Sequence, residues 1–299
     1  MIFAIDAPRN FSLWYTIYSH GWCSLKPFNI DKETAVLTMV VQPSPGNIIP
    51  VQLSELNRKQ IRVQIPGKKS VSSHEKKTIE STVKTCLRLT EDYSTFYAEG
   101  KQYKQFHWVR KWGAGRLLRA PSVFEDVVKM ICTTNCSWGL TTSMVNNFCA
   151  KLGTEYDEGK YSFPTPEAIA GCTEKYIRKE IRAGYRSPYI LELSKRIVAN
   201  DIDIESWRSS TLPSGELFDE VRSVKGLGPY AAGNILKLLG RYDYLGIDSW
   251  CRKQFRDIHK KKKVSDKFIE RYYQPFGKWK GLFFWLELTK DWYDKKFPF

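Results

Sequence analysis

No apolar run in the sequence approaches the roughly 20 residues of a membrane-spanning helix; "AVLTMVV" and "GLFFWLEL" are the longest, and both are short. A chain with no membrane partner is expected. Cysteine is sparse: there are seven, an odd number, with no C-x-x-C pair. That argues against a disulfide framework and against a zinc site. Cys132 and Cys136 are four apart and share a helix face, where buried thiols are the plain reading. The four histidines, His20, His74, His107 and His259, show no ligand spacing and receive no role. No internal repeat is present. The opening "MIFAIDAPRNF" has an acidic residue and lacks the basic leader of a secretory signal.

Positive charge, by contrast, is in excess. Against 32 Asp and Glu stand 47 Lys and Arg, a formal net charge of +15. Such an excess favours a polyanion, either nucleic acid or an acidic membrane surface. Ten Trp, sixteen Tyr and sixteen Phe accompany it, and aromatics among cations suit base stacking. A basic protein with an aromatic core is the plainer alternative. The expected location is the cytoplasm, with the nucleoid, in a prokaryote and the nucleus in a eukaryote.

The 299 residues, 42% of them hydrophobic, suit a soluble globular chain of roughly two domains. Early on, "AVLTMVVQ", "NIIPVQL" and "QIRVQIPG" are β-favouring runs punctuated by "PSPGN" and "PGKK", which predicts an antiparallel sheet. A serine cap then precedes Ile79, Val83, Cys86 and Leu87 on one helical face. From about residue 120 helical periods dominate, as in Phe124, Val127, Val128 and Ile131. The expected architecture is an α+β domain over 1–110, an antiparallel sheet with helices, followed by an all-α domain over 111–299. The charge run "HKKKK" at 259–263 reads as a solvated loop.

The stretch "VKGLGPYAAGNILKLLG", 224–240, carries the sharpest local signal. Gly226, Gly228 and Ala231 fit the G-x-G-x-x-G/A form of a dinucleotide turn, which requires a strand just before it. Leu217, Val221 and Val224 instead fall at i, i+4 and i+7, a helical spacing. Pro229 suits a first helical position, and Ala232, Ile235, Leu236 and Leu239 form the next apolar face. The unit is a helix, a tight glycine hairpin and a helix. Such a hairpin offers backbone N–H groups to a nucleic-acid backbone without reading a base; an ordinary helical turn with no ligand is the bland alternative. Twenty residues on, "YDYLGIDSWCRK" places Asp248 just before a new helix, where it serves as an N-cap or, one helix and a return loop away, stands beside the hairpin.

The sequence resembles the helix-hairpin-helix DNA glycosylases over most of its length. "KGLGPYAAG" followed by "GID" is similar to the family's hairpin and catalytic aspartate, and "APSVFEDVVKMICTTNCSWGLTTSMVNNFCAKLG" to the helix pair bearing a void-filling asparagine. "IRAGYRSPYI" resembles the segment that wedges into the duplex, and "PFGKWKGLFFWLEL" the helix closing the base pocket. The match is closest to the branch of 8-oxoguanine DNA glycosylase and bacterial 3-methyladenine DNA glycosylase II.

The resemblance implies an all-α helix-hairpin-helix glycosylase domain acting as a monomer on double-stranded DNA that contains a damaged base. It makes Asp248 the catalytic residue, Gly226 and Gly228 the phosphate-binding hairpin, Asn135 the plug, Tyr185 and Arg186 the wedge, and Tyr230, Asn234 and Trp285 the base pocket. Members that also nick the strand carry a lysine where this chain has Tyr230, and Lys225 precedes the turn. A monofunctional enzyme is therefore expected, one that removes an N-alkylated purine by stacking it on aromatic walls. An 8-oxoguanine-type glycosylase and a non-catalytic DNA binder are the alternatives. No metal or other cofactor is required; the resemblance allows a structural monovalent cation at the hairpin. Only Cys251 lies beyond residue 172, so no iron–sulfur cluster is expected.

Overall fold

The computed structural model describes residues 1–294; residues 295–299, the end of the expected second domain, lie outside the described residues. Strands β1 (Ile2–Asp6), β2 (Asn29–Asp31), β3 (Val36–Ser44), β4 (Asn47–Asn57) and β5 (Gln60–Gln64) form an antiparallel sheet in the order β1-β5-β4-β3-β2. The three β-favouring runs became β3, β4 and β5; the short β1 and β2 were not anticipated. Successive side chains alternate between faces, so Leu37, Met39 and Val41, with Ile49, Val51 and Leu53 opposite them, all point into the core. Helix α1 (Leu13–Ile17) follows β1, and α2 (Ser73–Cys86) lies on β3. A capping box starts α2: Ser72 Oγ accepts the Glu75 N–H at 3.2 Å while Glu75 Oε2 accepts the Ser72 N–H at 2.7 Å. Ile79, Val83 and Cys86, the expected face, are buried.

Helices α3 (Ser94–Gly100) and α4 (His107–Trp112) come next, and α4 runs across the expected boundary at 110/111. The boundary is not a break in packing. Phe96 and Phe106 both pack against Phe283 near the other end of the chain, with ring centroids 4.8 and 4.7 Å apart, because a single apolar core runs through both halves. Helices α5 (Val123–Thr133) and α6 (Trp138–Leu152) are capped by Ser122 and Ser137. A short ribbon of β6 (Glu155–Asp157) and β7 (Lys160–Tyr161) interrupts the helices. Then follow α7 (Pro166–Ala170), α8 (Glu174–Tyr176), α9 (Ser187–Val198), α10 (Ser214–Arg222), α11 (Pro229–Leu239), α12 (Ser249–Ile258), α13 (Asp266–Tyr273) and α14 (Lys280–Asp294). No helix among the described residues is long and apolar enough to cross a membrane.

One buried cation locks α11 to the first half of the chain. The Arg88 guanidinium, wholly buried, donates to the carbonyls of Lys237 and Leu238 at 2.6 and 2.7 Å, to Leu117 O at 2.8 Å and to Glu91 at 2.9 Å. The first two belong to the last turn of α11, where backbone donors run short and a cation is also favoured by the helix dipole; Lys237 O accepts the Gly240 N–H at 3.1 Å as well.

Candidate active site and nucleic-acid interface

The segment before Gly226 is α10, so the strand that a dinucleotide turn needs is not there. Leu227 N–H donates to Val224 O at 3.1 Å and tightens the hairpin. Gly226 stands at φ +94, where a side chain is strained, and a Cβ there would come within 3.0 Å of the Tyr189 ring. Gly228 is the reverse case: a Cβ would meet nothing within 4 Å, and no side chain caps the start of α11. With Pro229 at the first helical turn, the N–H groups of Tyr230 and Ala231 donate to none of the described residues. A helix N-terminus in that condition attracts an anion.

From Gly240 the chain returns toward the hairpin and is pinched on the way. A Cβ on Gly233 of α11 would lie 3.0 Å from the Gly246 backbone, and one on Gly281 of α14 would collide with the Tyr244 carbonyl oxygen. Gly281 N–H also donates to Tyr242 O at 2.7 Å. The loop delivers Asp248 to the N-cap of α12, where Oδ1 accepts the Cys251 N–H at 2.7 Å. The capping role and the placement beside the hairpin therefore hold together: Asp248 lines a groove with Gly226 and Gly228, and a cavity beyond it.

That cavity, about 460 Å³, opens beside Asp248 and is walled by Trp22, Trp138, Trp250, Trp285 and Trp292. Tyr230 and Asn234 line it from α11. Tyr230 also lines the groove. Burial and the nearby Asp248 carboxylate push its pKa up, so it stays a neutral phenol. Asn234 donates from Nδ2 to Tyr230 O at 2.9 Å and lies against Gly246, which makes it a support for the return loop as much as a wall. Trp285 is fixed by its indole N–H, which donates to Ser19 O at 2.9 Å.

Asn135 and Tyr185 face the groove side by side, with Asn135 Nδ2 3.3 Å from the Tyr185 hydroxyl. Asn135 holds φ +48, and Tyr185 is 45% exposed. Arg186 departs from the expected wedge. It is only 6% exposed, its guanidinium donates to Thr134 O, and it lies 4.5 Å from the Tyr185 ring centroid. The tight turn Gly184–Arg186 just before α9 aims Arg186 inward and leaves Tyr185 outside.

A profile for the HhH-GPD superfamily base excision DNA repair proteins matches residues 128–279, just over half of the chain, spanning the hairpin and Asp248. The chain belongs to that superfamily. It is 25% identical over 219 residues to a probable N-glycosylase/DNA lyase of Methanothermobacter thermautotrophicus, covering 66% of this chain and 69% of that protein. Its fold is similar to that of a 3-methyladenine DNA glycosylase from Archaeoglobus fulgidus, with TM-score 0.76, 18% identity and 97% and 99% of the two chains covered. It is also similar to Clostridium acetobutylicum 8-oxoguanine glycosylase/lyase in complex with double-stranded DNA containing cytosine opposite 8-oxoG, with TM-score 0.74, 21% identity and 99% of each chain covered.

This HhH-GPD protein is a DNA glycosylase, and its cavity contains residues that the sequence reading passed over. His20 and Trp22 reach it from the turn after α1. Burial pushes the His20 pKa down to about 3, so the ring is neutral, and Nε2 lies 2.7 Å from Leu118 O, the arrangement of an N–H donor. Lys237 lies two turns beyond Tyr230 on the same face of α11 and is 2% exposed. Its Nζ donates to Leu245 O at 2.7 Å. A lysine at that spacing reads as solvated surface in a sequence, and no pattern around "SHGWC" marks His20. Lys225, by contrast, is exposed and donates to Glu192 Oε2 at 2.9 Å; it lines neither cavity nor groove.

Proposed function

We propose that this HhH-GPD glycosylase flips a damaged base out of duplex DNA into the tryptophan-lined cavity and removes it by hydrolysis, leaving the strand uncut. The observation that carries this reading is the position of Asp248, at the junction between the cavity and a groove that also holds the open N-terminus of α11. A base stacked in a duplex must leave the helix before its glycosidic bond can be reached. The N–H groups after Gly228 bind a backbone phosphate and set the register. Tyr185 enters the duplex, Asn135 fills the vacated space, and Arg186 acts as a positioning residue that holds the Thr134 carbonyl and backs the Tyr185 ring.

As the base leaves, positive charge develops on the sugar, and a fixed carboxylate next to it lowers the barrier. Asp248 does this with the oxygen not used in capping and orients the water that attacks C1′. Water supplies the new hydroxyl on the sugar, and its proton ends on the departing base. Tyr230 offers no amine, so no Schiff base forms at its position. The carbonyls of Lys225, Gly226 and Leu227 accept no hydrogen bond from the described residues, a donor set that suits a structural monovalent cation; no step depends on it. The test is single-turnover assay of duplexes carrying alkylated, deaminated or oxidised bases. The expected product is an abasic strand that breaks only on alkali treatment. A covalent protein–DNA adduct trapped by borohydride overturns the monofunctional reading, and duplex binding without release of any base leaves a DNA binder.

A further inference from the structure

The hydrolysis above makes no use of Lys237, the one lysine in the cavity lining among the described residues. Among the described residues Leu245 O is its only hydrogen-bond acceptor; the rings of Trp285 and Phe284 lie with centroids 5.3 and 5.8 Å from Nζ. An ammonium has three N–H donors, and a buried one short of acceptors is costly. Burial lowers its pKa to about 8, and near neutral pH it still carries a charge.

Its place in the cavity says what it meets. Tyr230 lines both groove and cavity and so stands at the mouth, whereas Lys237 lines the cavity alone. Seven residues of helix separate them, about 10 Å along the axis. A base that enters with its sugar held at Asp248 points its far edge toward Lys237. The negative charge that acts on it is distant: among the described residues Asp248 is the only carboxylate in the lining, it lies at the mouth, and its field only partly offsets the effect of burial on Lys237, while His20 is neutral. Trp285, a ring of the kind that attracts a cationic base, already has the Lys237 ammonium near it.

We infer that Lys237 reads the flipped base: it donates to a carbonyl or ring-nitrogen acceptor on the far edge of a neutral base, such as an oxidised or deaminated purine, and repels cationic N-alkylated purines. The inference rests on the glycosylase reading and deepens it. It also sets the N-alkylated purine expected from aromatic walls against a charge that those walls do not reveal. Lys237 forms no covalent bond in this role; it determines specificity.

The experiment compares the full-length protein with Lys237→Met and Lys237→Gln on duplexes carrying hypoxanthine, 8-oxoguanine, 7-methylguanine or 3-methyladenine, read as single-turnover release. Wild type is expected to release a neutral base at least tenfold faster than either methylated purine. Lys237→Met should lose about tenfold or more on the neutral base, the effect of a missing charge-assisted hydrogen bond, with no loss on the cationic ones. Lys237→Gln, which keeps a donor without the charge, should fall between. A wild type that prefers the methylated purines overturns the inference. So do variants that slow every base by one common factor, the result expected if Lys237 only ties α11 to the 240–248 loop. Should the variants fail to fold, the wild-type ratio alone decides. Release of no base by wild type sinks the glycosylase reading itself, a distinct result.

Discussion

Asp248 and Cys251 share a hydrogen bond that ties the carboxylate to the start of α12: Oδ1 accepts the Cys251 N–H at 2.7 Å and so caps the helix. Asparagine caps a helix about as well as aspartate, so Asp248→Asn should fold like the parent. Without the charge, single-turnover release should drop by on the order of 10²–10³ or more, while duplex affinity holds or tightens. A folded Asp248→Asn protein that releases base at the parental rate would remove Asp248 from the chemistry.

The two hairpin glycines should separate fold from binding. Gly226→Ala forces a side chain into left-handed backbone against Tyr189 and should cost about 1–2 kcal/mol in a denaturant melt. Gly228→Ala has room and an ordinary φ, so its folding cost should stay below about 1 kcal/mol. Its duplex affinity should nonetheless fall, because the new methyl stands where a phosphate approaches. Parental affinity in Gly228→Ala would place the phosphate elsewhere.

Neighbours Tyr185 and Arg186 should also divide. Arg186→Ala removes the charged donor of the Thr134 carbonyl, which keeps only the Tyr185 hydroxyl at 3.3 Å, and should lower stability by about 1–3 kcal/mol. Tyr185→Ala, at an exposed ring, should leave the melting temperature nearly unchanged and slow base release. The opposite ordering would restore Arg186 as the wedge.

His20 should make the fold acid-sensitive. Its pKa is about 3 in the native state against an ordinary 6.5, so between those values the unfolded chain binds a proton that the folded one refuses. Stability from this group is fully present above about 6.5 and declines as pH falls toward 3, by at most about 1.4 kcal/mol per pH unit. Urea midpoints between pH 7 and 5 should fall more steeply for wild type than for His20→Gln, whose amide can still donate to Leu118 O. Equal slopes would mean that the ring is not held neutral.

The +15 charge and the backbone contact proposed for the hairpin predict salt-sensitive binding with little sequence preference. If about six phosphates are engaged, affinity for a lesion-free duplex should drop by on the order of 10³ between 50 and 200 mM salt. Fluorescence anisotropy titrations that superimpose at the two salt concentrations would rule out this electrostatic mode.

The hairpin and Asp248 were legible because each is a local pattern: glycines where the backbone must turn, an acid before a helix, apolar residues at helical spacing. The α2 cap and the buried faces of α5, α10 and α11 followed from the same rules. What escaped needed tertiary structure. Arg186 and Lys237 are cations, and sequence rules place cations in water; one is instead held by the Thr134 carbonyl and the other by Leu245. His20 enters the cavity only because α14 packs back on the start of the chain, where the Trp285 indole meets Ser19. The packing across the expected boundary at 110/111 is of the same kind: Phe96 and Phe106, before it, meet Phe283 of α14.

Five of the ten tryptophans wall a single cavity, and indole emission responds to whatever stacks on it. The enzyme therefore carries its own optical probe: entry of a base should dim or shift its intrinsic fluorescence, and a stopped-flow trace on unlabelled DNA can time flipping apart from bond cleavage.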